Sequence, residues 1–293
     1  MKRLLITLIV IAAVGAAAML YITRPKSVDA RRFAALTGDV TRGEMVYWAG
    51  GCASCHAAKD DETRLVLSGG HRLVSDFGTF VTPNISQDET HGIGNWTLEN
   101  FANGMLLGTT PGGAHYFPSF PFASYARITD QDLVDLWAFM QTLPASDTPS
   151  QPHELKLPFS IRMGVGGWKL LYHNDDWTGP AETPEMERGR YLVEALGHCA
   201  ECHTPRDALG GLDRSRWMAG APNPSGQGKI PGLTPAQLNW SANDIAFYLE
   251  TGFSPDFDSA GGGMASVVQN QSRLSSEDRQ AIAAYIKALP SAE

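Results

Sequence analysis

Cys52-Ala53-Ser54-Cys55-His56 and Cys199-Ala200-Glu201-Cys202-His203 use all four cysteines of a 293-residue chain, and each pair is followed at once by a histidine. Two thiols three positions apart lie on one helical turn, and each can add to one vinyl group of a porphyrin. The next residue then carries an imidazole to the iron as proximal ligand. That spacing is the attachment pattern of a c-type haem. A thioredoxin-like redox pair or half a zinc site would explain the cysteines but leave the histidine, present twice, without a role. The sequence therefore predicts two covalently attached c-type haems. Cys52, Cys55, Cys199 and Cys202 are the thioether sites, and His56 and His203 are the proximal iron ligands.

An internal repeat points to the other face of each iron. Arg42-Gly43 precedes the first motif and Arg188-Gly189 the second; Asn95-Trp96-Thr97 is matched by Asn239-Trp240-Ser241. Met264 follows Gly261-Gly262-Gly263, and a loop presenting a thioether there would complete a six-coordinate His/Met haem, a ligation that raises the reduction potential. Met218 is the competing methionine. The residue as far past Trp96 as Met264 is past Trp240 is Phe120, which cannot ligate iron. Met105 and Met140 align with apolar helix positions and read as core. The candidates for the first iron's sixth position are His115, in the loop Pro111–Pro118, an open or water-bound iron, and His71 or His91. Pro83 and Pro231 are candidates to offer a backbone carbonyl to the proximal histidines. Trp96 and Trp240 read as haem-edge or core residues. Gly51 is expected to admit the porphyrin close to the backbone, and His198 to lie at the surface.

The elements that must hold these residues are helical. The segments Asn95–Gly108 and Asn239–Gly252 carry a Ser/Thr start signal and a glycine stop, and Thr129 and Ser275 precede apolar-periodic helices ending at Leu143-Pro144 and Leu289-Pro290. The reading is an all-α chain with two helical units, each wrapped on one haem, over residues 38–145 and 184–293. The segment 146–183 joins them; its ends read as linker, and its apolar middle, Leu157–Tyr172, is expected to pack between the units.

At the amino terminus, Leu4–Ile22 is uncharged and apolar, enough for a helix of about 28 Å. Residues 1–24 are expected to be a retained transmembrane helix, with Lys2 and Arg3 on the cytoplasmic side; a cleaved signal segment is the alternative. Either exports the remainder. The formal charge of −8, without a basic run, argues against nucleic acid as a partner. The composition excludes a disordered tail or a multi-span membrane protein.

Residues 38–290 resemble the diheme members of the cytochrome c family that includes the cytochrome subunits of membrane-bound alcohol and gluconate dehydrogenases. The resemblance is carried by Arg42-Gly43 through His56, Gly78-Thr79-Phe80 with Pro83-Asn84-Ile85, Tyr116-Phe117-Pro118 through Tyr125, Arg188 through Ala195, Cys202-His203-Thr204-Pro205-Arg206 and Gly263-Met264-Ala265. It implies tandem class I-like cytochrome c domains behind a single-pass inner-membrane helix, facing the periplasm. Their implied work is electron transfer, from a periplasmic dehydrogenase to an oxidase or quinone-linked acceptor, rather than catalysis. The alternative is a diheme oxidoreductase, acting as a peroxidase or in sulfur-compound oxidation, that uses an open or exchangeable first haem. Two departures stand out: the matching loop commonly reads Pro-Ala-Met-Pro where this chain has Phe120, and the dehydrogenase subunits typically carry three motifs.

Overall fold

The computed structural model describes residues 1–224, 226 and 228–290. Helix α1 (Lys2–Ile22) buries none of its residues. In the first half, α2 (Val40–Ala49) starts where the Asp39 carboxylate accepts the Arg42 N–H and leads into α3 (Cys52–His56), the turn bearing the first motif. A hairpin follows, β1 (Arg72–Ser75) against β2 (Gly78–Val81). Helix α4 (Leu98–Leu107) opens on a reciprocal capping pair, Thr97 and Asn100, and stops at Gly108 in the left-handed region. A short turn, α5 (Phe122–Tyr125), precedes α6 (Asp130–Met140), which is capped by Thr129. Strand β3 (Glu154–Leu155) joins the free edge of β2, and α7 (Gly164–Tyr172) completes the segment.

The second half repeats this plan. Helix α8 (Pro184–Arg190) starts at Thr183 with proline at its first turn, where a missing N–H costs nothing. It runs through a wide π-helical stretch, Tyr191–Leu196, into α9 (Ala200–His203). Strands β4 (Ala221–Pro222) and β5 (Lys229–Ile230) pair, and α10 (Ala242–Thr251) lies between the Ser241/Asp244 capping pair and Gly252. Helices α11 (Gly262–Gln271) and α12 (Ser276–Ala288, capped by Ser275) close the half. The expected helix starts and the stops at Gly108 and Gly252 are thus in place, while α6 ends at Met140, short of Leu143-Pro144; the fold is two tandem helical domains behind an apolar N-terminal helix. The three-stranded and two-stranded sheets are small additions that the Gly- and Pro-rich sequence did not advertise.

Each half is organised on one helix crossing, α2 over α6 and α8 over α12. Glycine makes the crossing close. A Cβ on Gly43 would fall 2.0 Å from Asp135 O, and one on Gly189 would fall 1.9 Å from Ala281 O. Ion pairs flank both crossings, Arg42 with the fully buried Asp135 at 2.7 Å and Arg188 with Asp278 at 2.7 Å. Fully buried Leu133, Leu136, Tyr47 and Tyr285 fill the space beside them, each large side chain worth about 1.5–3 kcal/mol of removal from water. The apolar core is continuous from one half to the other.

Candidate haem sites

Both proximal sides are built alike. The His56 Nδ1–H donates to Pro83 O at 2.9 Å and the His203 Nδ1–H to Pro231 O at 2.7 Å. A carbonyl can only accept, so each bond selects the Nδ1–H tautomer and leaves the Nε2 lone pair for a metal. This is the role expected of the two prolines. Burial pulls the His56 pKa down to about 4 against the opposing effect of the Pro83 carbonyl, and burial likewise lowers that of His203. Both imidazoles are therefore neutral at physiological pH, the form in which an imidazole can bind a metal.

The cysteines are not disulfide-bonded. Burial pushes the thiols of Cys52 and Cys199 up to about 12 and that of Cys55 to about 11. Thiolate redox pairs have depressed pKa values, so these pairs lack the character of a thioredoxin-like site. Among the described residues no cluster of three or more His, Cys, Asp or Glu could hold a bare metal ion. A lone imidazole beside two thiols on one turn fits iron held in a thioether-linked porphyrin.

The two motifs face each other, which the sequence did not reveal. Ser124, just past the first half's distal loop, donates to Glu201 inside the second motif at 3.3 Å. Asn270, its counterpart in the second half, donates to Ser54 inside the first motif at 2.8 Å. Tyr125 donates to Gly50 O at 2.7 Å, and Gln271 reaches the adjacent Ala49 O at 3.5 Å. Cys202 lies close enough to Cys55 to raise its pKa further. His198 belongs to this interface: its ring meets Tyr125 edge-on at 5.6 Å, so the expectation of a surface histidine is corrected. Gly51 lies at the same interface. Its φ of +67° places it in the left-handed region, with Asn270 and His198 as its neighbours, and His198 (φ +41°) holds the matching place before Cys199.

On the distal side, Met264 sits in the first turn of α11 rather than in an open loop, half-buried against the core. Phe120, at the matching place, is enclosed by Tyr116, Phe122 and Tyr125 at 5.8, 6.4 and 5.8 Å between ring centres. His115 is buried, and its Nε2–H donates to Thr23 O at 2.9 Å while Nδ1 has no partner. His91 pairs with Asp88, and His71 immediately precedes β1 with its backbone bonded to Thr82 on the Pro83 side of the first motif. Met105, Met140 and Met218 are buried in the core. Trp96 packs beside Gly104 and Trp240 on Tyr248, the same relation in each half.

Two helical units, each presenting CxxCH and a carbonyl-oriented histidine, define a diheme c-type cytochrome. The cytochrome c family model matches residues 40–144 and again 186–290, and the chain belongs to that family. It is 56% identical to a diheme cytochrome c-type protein of Cereibacter sphaeroides over the whole of both chains. It is 34% identical to the fructose dehydrogenase cytochrome subunit of Gluconobacter japonicus, over 92% of this chain and 55% of that one. With the gluconate 2-dehydrogenase cytochrome c subunit of Pantoea cypripedii it shares 33% identity, over 88% of this chain and 62% of that one. The chain thus spans just over half the length of those dehydrogenase subunits. Its cofactors are two c-type haems, and its class of work is electron transfer.

Proposed function

We propose that this cytochrome accepts electrons from a dehydrogenase outside the cytoplasm and delivers them to a respiratory acceptor, an oxidase or a quinone-linked complex. Helix α1 is the retained single-pass anchor in the inner membrane, with both haem domains on the periplasmic side. The observation that carries this reading is the pairing of the two motifs through Ser124–Glu201 and Asn270–Ser54, which fixes the attachment sites side by side. When bound, the haems supply one-electron redox chemistry. The protein's part is to anchor them at Cys52, Cys55, Cys199 and Cys202, orient His56 and His203, and present Met264 to the second iron. The relatives' names favour this reading over a peroxidase or sulfur-compound oxidant.

For the first iron, the bond from His115 to Thr23 and the aromatic enclosure of Phe120 favour a sixth position without a side-chain ligand. A comparison of two spectra decides among the candidates: His115→Ala leaves the first haem's absorption and potential unchanged, while a changed spectrum makes His115 the ligand. The electron-transfer reading is tested in membranes containing the full chain. Substrates of periplasmic dehydrogenases should reduce the haem bands, and oxygen should reoxidise them. Bands that stay oxidised under every such substrate would overturn it. The intact mass decides the anchor, since a mature chain lacking residues before about 25 would be a released periplasmic protein.

A further inference from the structure

The segment between β3 and the end of α7 turns apolar side chains outward. Leu157, Phe159, Ile161 and Met163 precede α7, Leu170 and Leu171 lie on it, and all six are between 42% and 78% exposed. The patch continues into the second half. The Phe159 ring meets Phe77 at 4.8 Å, Gly210 packs on Phe77, and the adjacent Leu209 is exposed. Contiguous apolar surface of this kind marks an interaction site.

Its position is set by α1, which ends against the same element. The Thr23 carbonyl accepts from His115, and Gly166 of α7 packs so closely that a Cβ there would fall 2.2 Å from Thr23 O. Arg162 donates to His115 O at 2.9 Å and lies over the Phe117 ring. The charges agree with the location. From Lys156 to Tyr172 the chain has three basic residues and no acidic one, and Arg24 and Lys26 follow the apolar helix, on a protein of net charge −8. Apolar and aromatic side chains among basic ones are the pattern of a segment lying in a membrane interface. The second-half loop that matches the His115 loop exposes Phe253 and Phe257 but sets Asp256 and Asp258 beside them, and no α1 reaches it.

We propose that residues 157–171 are a membrane-interface element that lies in the headgroup layer beside α1, with Leu157, Phe159, Ile161, Met163, Leu170 and Leu171 reaching the acyl boundary of a phospholipid bilayer. The inference rests on the reading of α1 as a retained span. Its consequence is orientation. Lys169 donates to Leu107 O and Gly108 O, and His173 to Leu106 O, all at the end of α4, while Tyr172 donates to Asp207 of the second half. An element seated in the membrane would therefore fix the height and tilt of both haem domains.

The test uses the full haem-loaded chain in vesicles of phosphatidylethanolamine and phosphatidylglycerol. Because the four native cysteines are consumed by haem, Leu171→Cys, Val10→Cys and Phe257→Cys each offer one thiol for a nitroxide label, with the haem spectrum confirming the fold. Depth is read from relaxation by oxygen against an aqueous nickel chelate. The label at 171 is expected about 5–10 Å below the headgroup boundary, that at 10 in the hydrocarbon and that at 257 in water. If the label at 171 is as water-accessible as that at 257 while 10 is in hydrocarbon, the interface proposal is overturned and the anchor stands. If 10 and 171 are both in water, both readings fall. If only 10 is in water, the interface element binds lipid without the anchor.

Discussion

Replacing Gly189 with alanine adds one methyl group at the place where α8 and α12 approach most closely. Its Cβ would fall 1.9 Å from Ala281 O and 2.7 Å from both Ala281 C and Tyr285 Cβ. Carbon and oxygen sit comfortably at about 3.3 Å, so the helices must part by roughly 1.4 Å. The movement falls on groups with little room. Tyr285 is fully buried and donates its hydroxyl to the buried Glu194, which also accepts from Thr178 N at 2.9 Å and Gly179 N at 2.7 Å. Overpacking of this kind costs about 1–3 kcal/mol, and loosening a hydrogen bond to a buried carboxylate adds about 1–3 kcal/mol. The higher helix propensity of alanine returns about 1 kcal/mol. The half-exposed Arg188–Asp278 pair adds little.

The expected net loss is about 3 kcal/mol. Since the core runs unbroken between the halves, the domains are expected to melt as one unit, for which each kcal/mol moves the midpoint by about 2–4 °C. Gly189→Ala should therefore lower Tm by roughly 6–12 °C in scanning calorimetry of the haem-loaded, full-length protein. Gly43→Ala, whose Cβ would meet Asp135 O at 2.0 Å, should do the same from the other half. A shift below about 2 °C for Gly189→Ala would refute the argument, because the crossing would then tolerate a methyl group without moving.

Two further outcomes are expected. Met264→Leu keeps the volume but removes the thioether, so the second haem should lose its low-spin His/Met signature in EPR and its potential should fall; an unchanged spectrum would place the sixth ligand elsewhere. For Asp135, burial pushes the pKa up, but Arg42, the Asp39 N–H and Gln131 outweigh it and leave the carboxyl below its ordinary 3.8. A depressed folded pKa gives stability that is present above the unfolded value and lost as pH falls through the folded one. Asp135→Asn should thus be less stable by about 1–3 kcal/mol at pH 7, with the gap in urea midpoint closing below roughly pH 4. A gap equal at pH 7 and pH 3 would contradict that assignment.

What could be read in the chain was local chemistry. Thr97, Ser241, Thr129 and Ser275 cap helices because a side-chain oxygen satisfies an N–H two or three residues on, a relation contained within one turn. The CxxCH turns and the carbonyls of Pro83 and Pro231 follow from short spacings in the same way. Contacts between distant segments left no such mark. Arg64 reaches Ser266, Asn270 reaches Ser54 and His115 reaches Thr23, pairs that only the folded path of the chain brings together. The setting of Met264 was misread. Three glycines resemble a loop, yet Gly261 serves as the N-cap of a helix that packs on the first motif.

The repeat also says where any difference between the two irons must arise. Their proximal sides are close copies, with Nδ1–H to proline carbonyl bonds of 2.9 and 2.7 Å and histidines neutralised by burial in both. Hydrogen bonding to the proximal imidazole tunes an iron, but equal bonds tune both equally. What differs is the distal residue, Met264 against an enclosed Phe120, and the residue inside each motif, neutral Ser54 against Glu201, which is paired with Arg206 at 2.5 Å. A thioether raises a potential, and a neighbouring carboxylate favours the oxidised, more positive haem unless its charge is neutralised. Arg206 largely cancels the second effect, so with Met264 as the proposed ligand the distal residue is left to set the order of potentials, with the second site expected to be the higher. On the proposed ligation by Met264, electrons entering at the first site would run downhill to the second, across the interface where Ser124 and Asn270 hold the two motifs together.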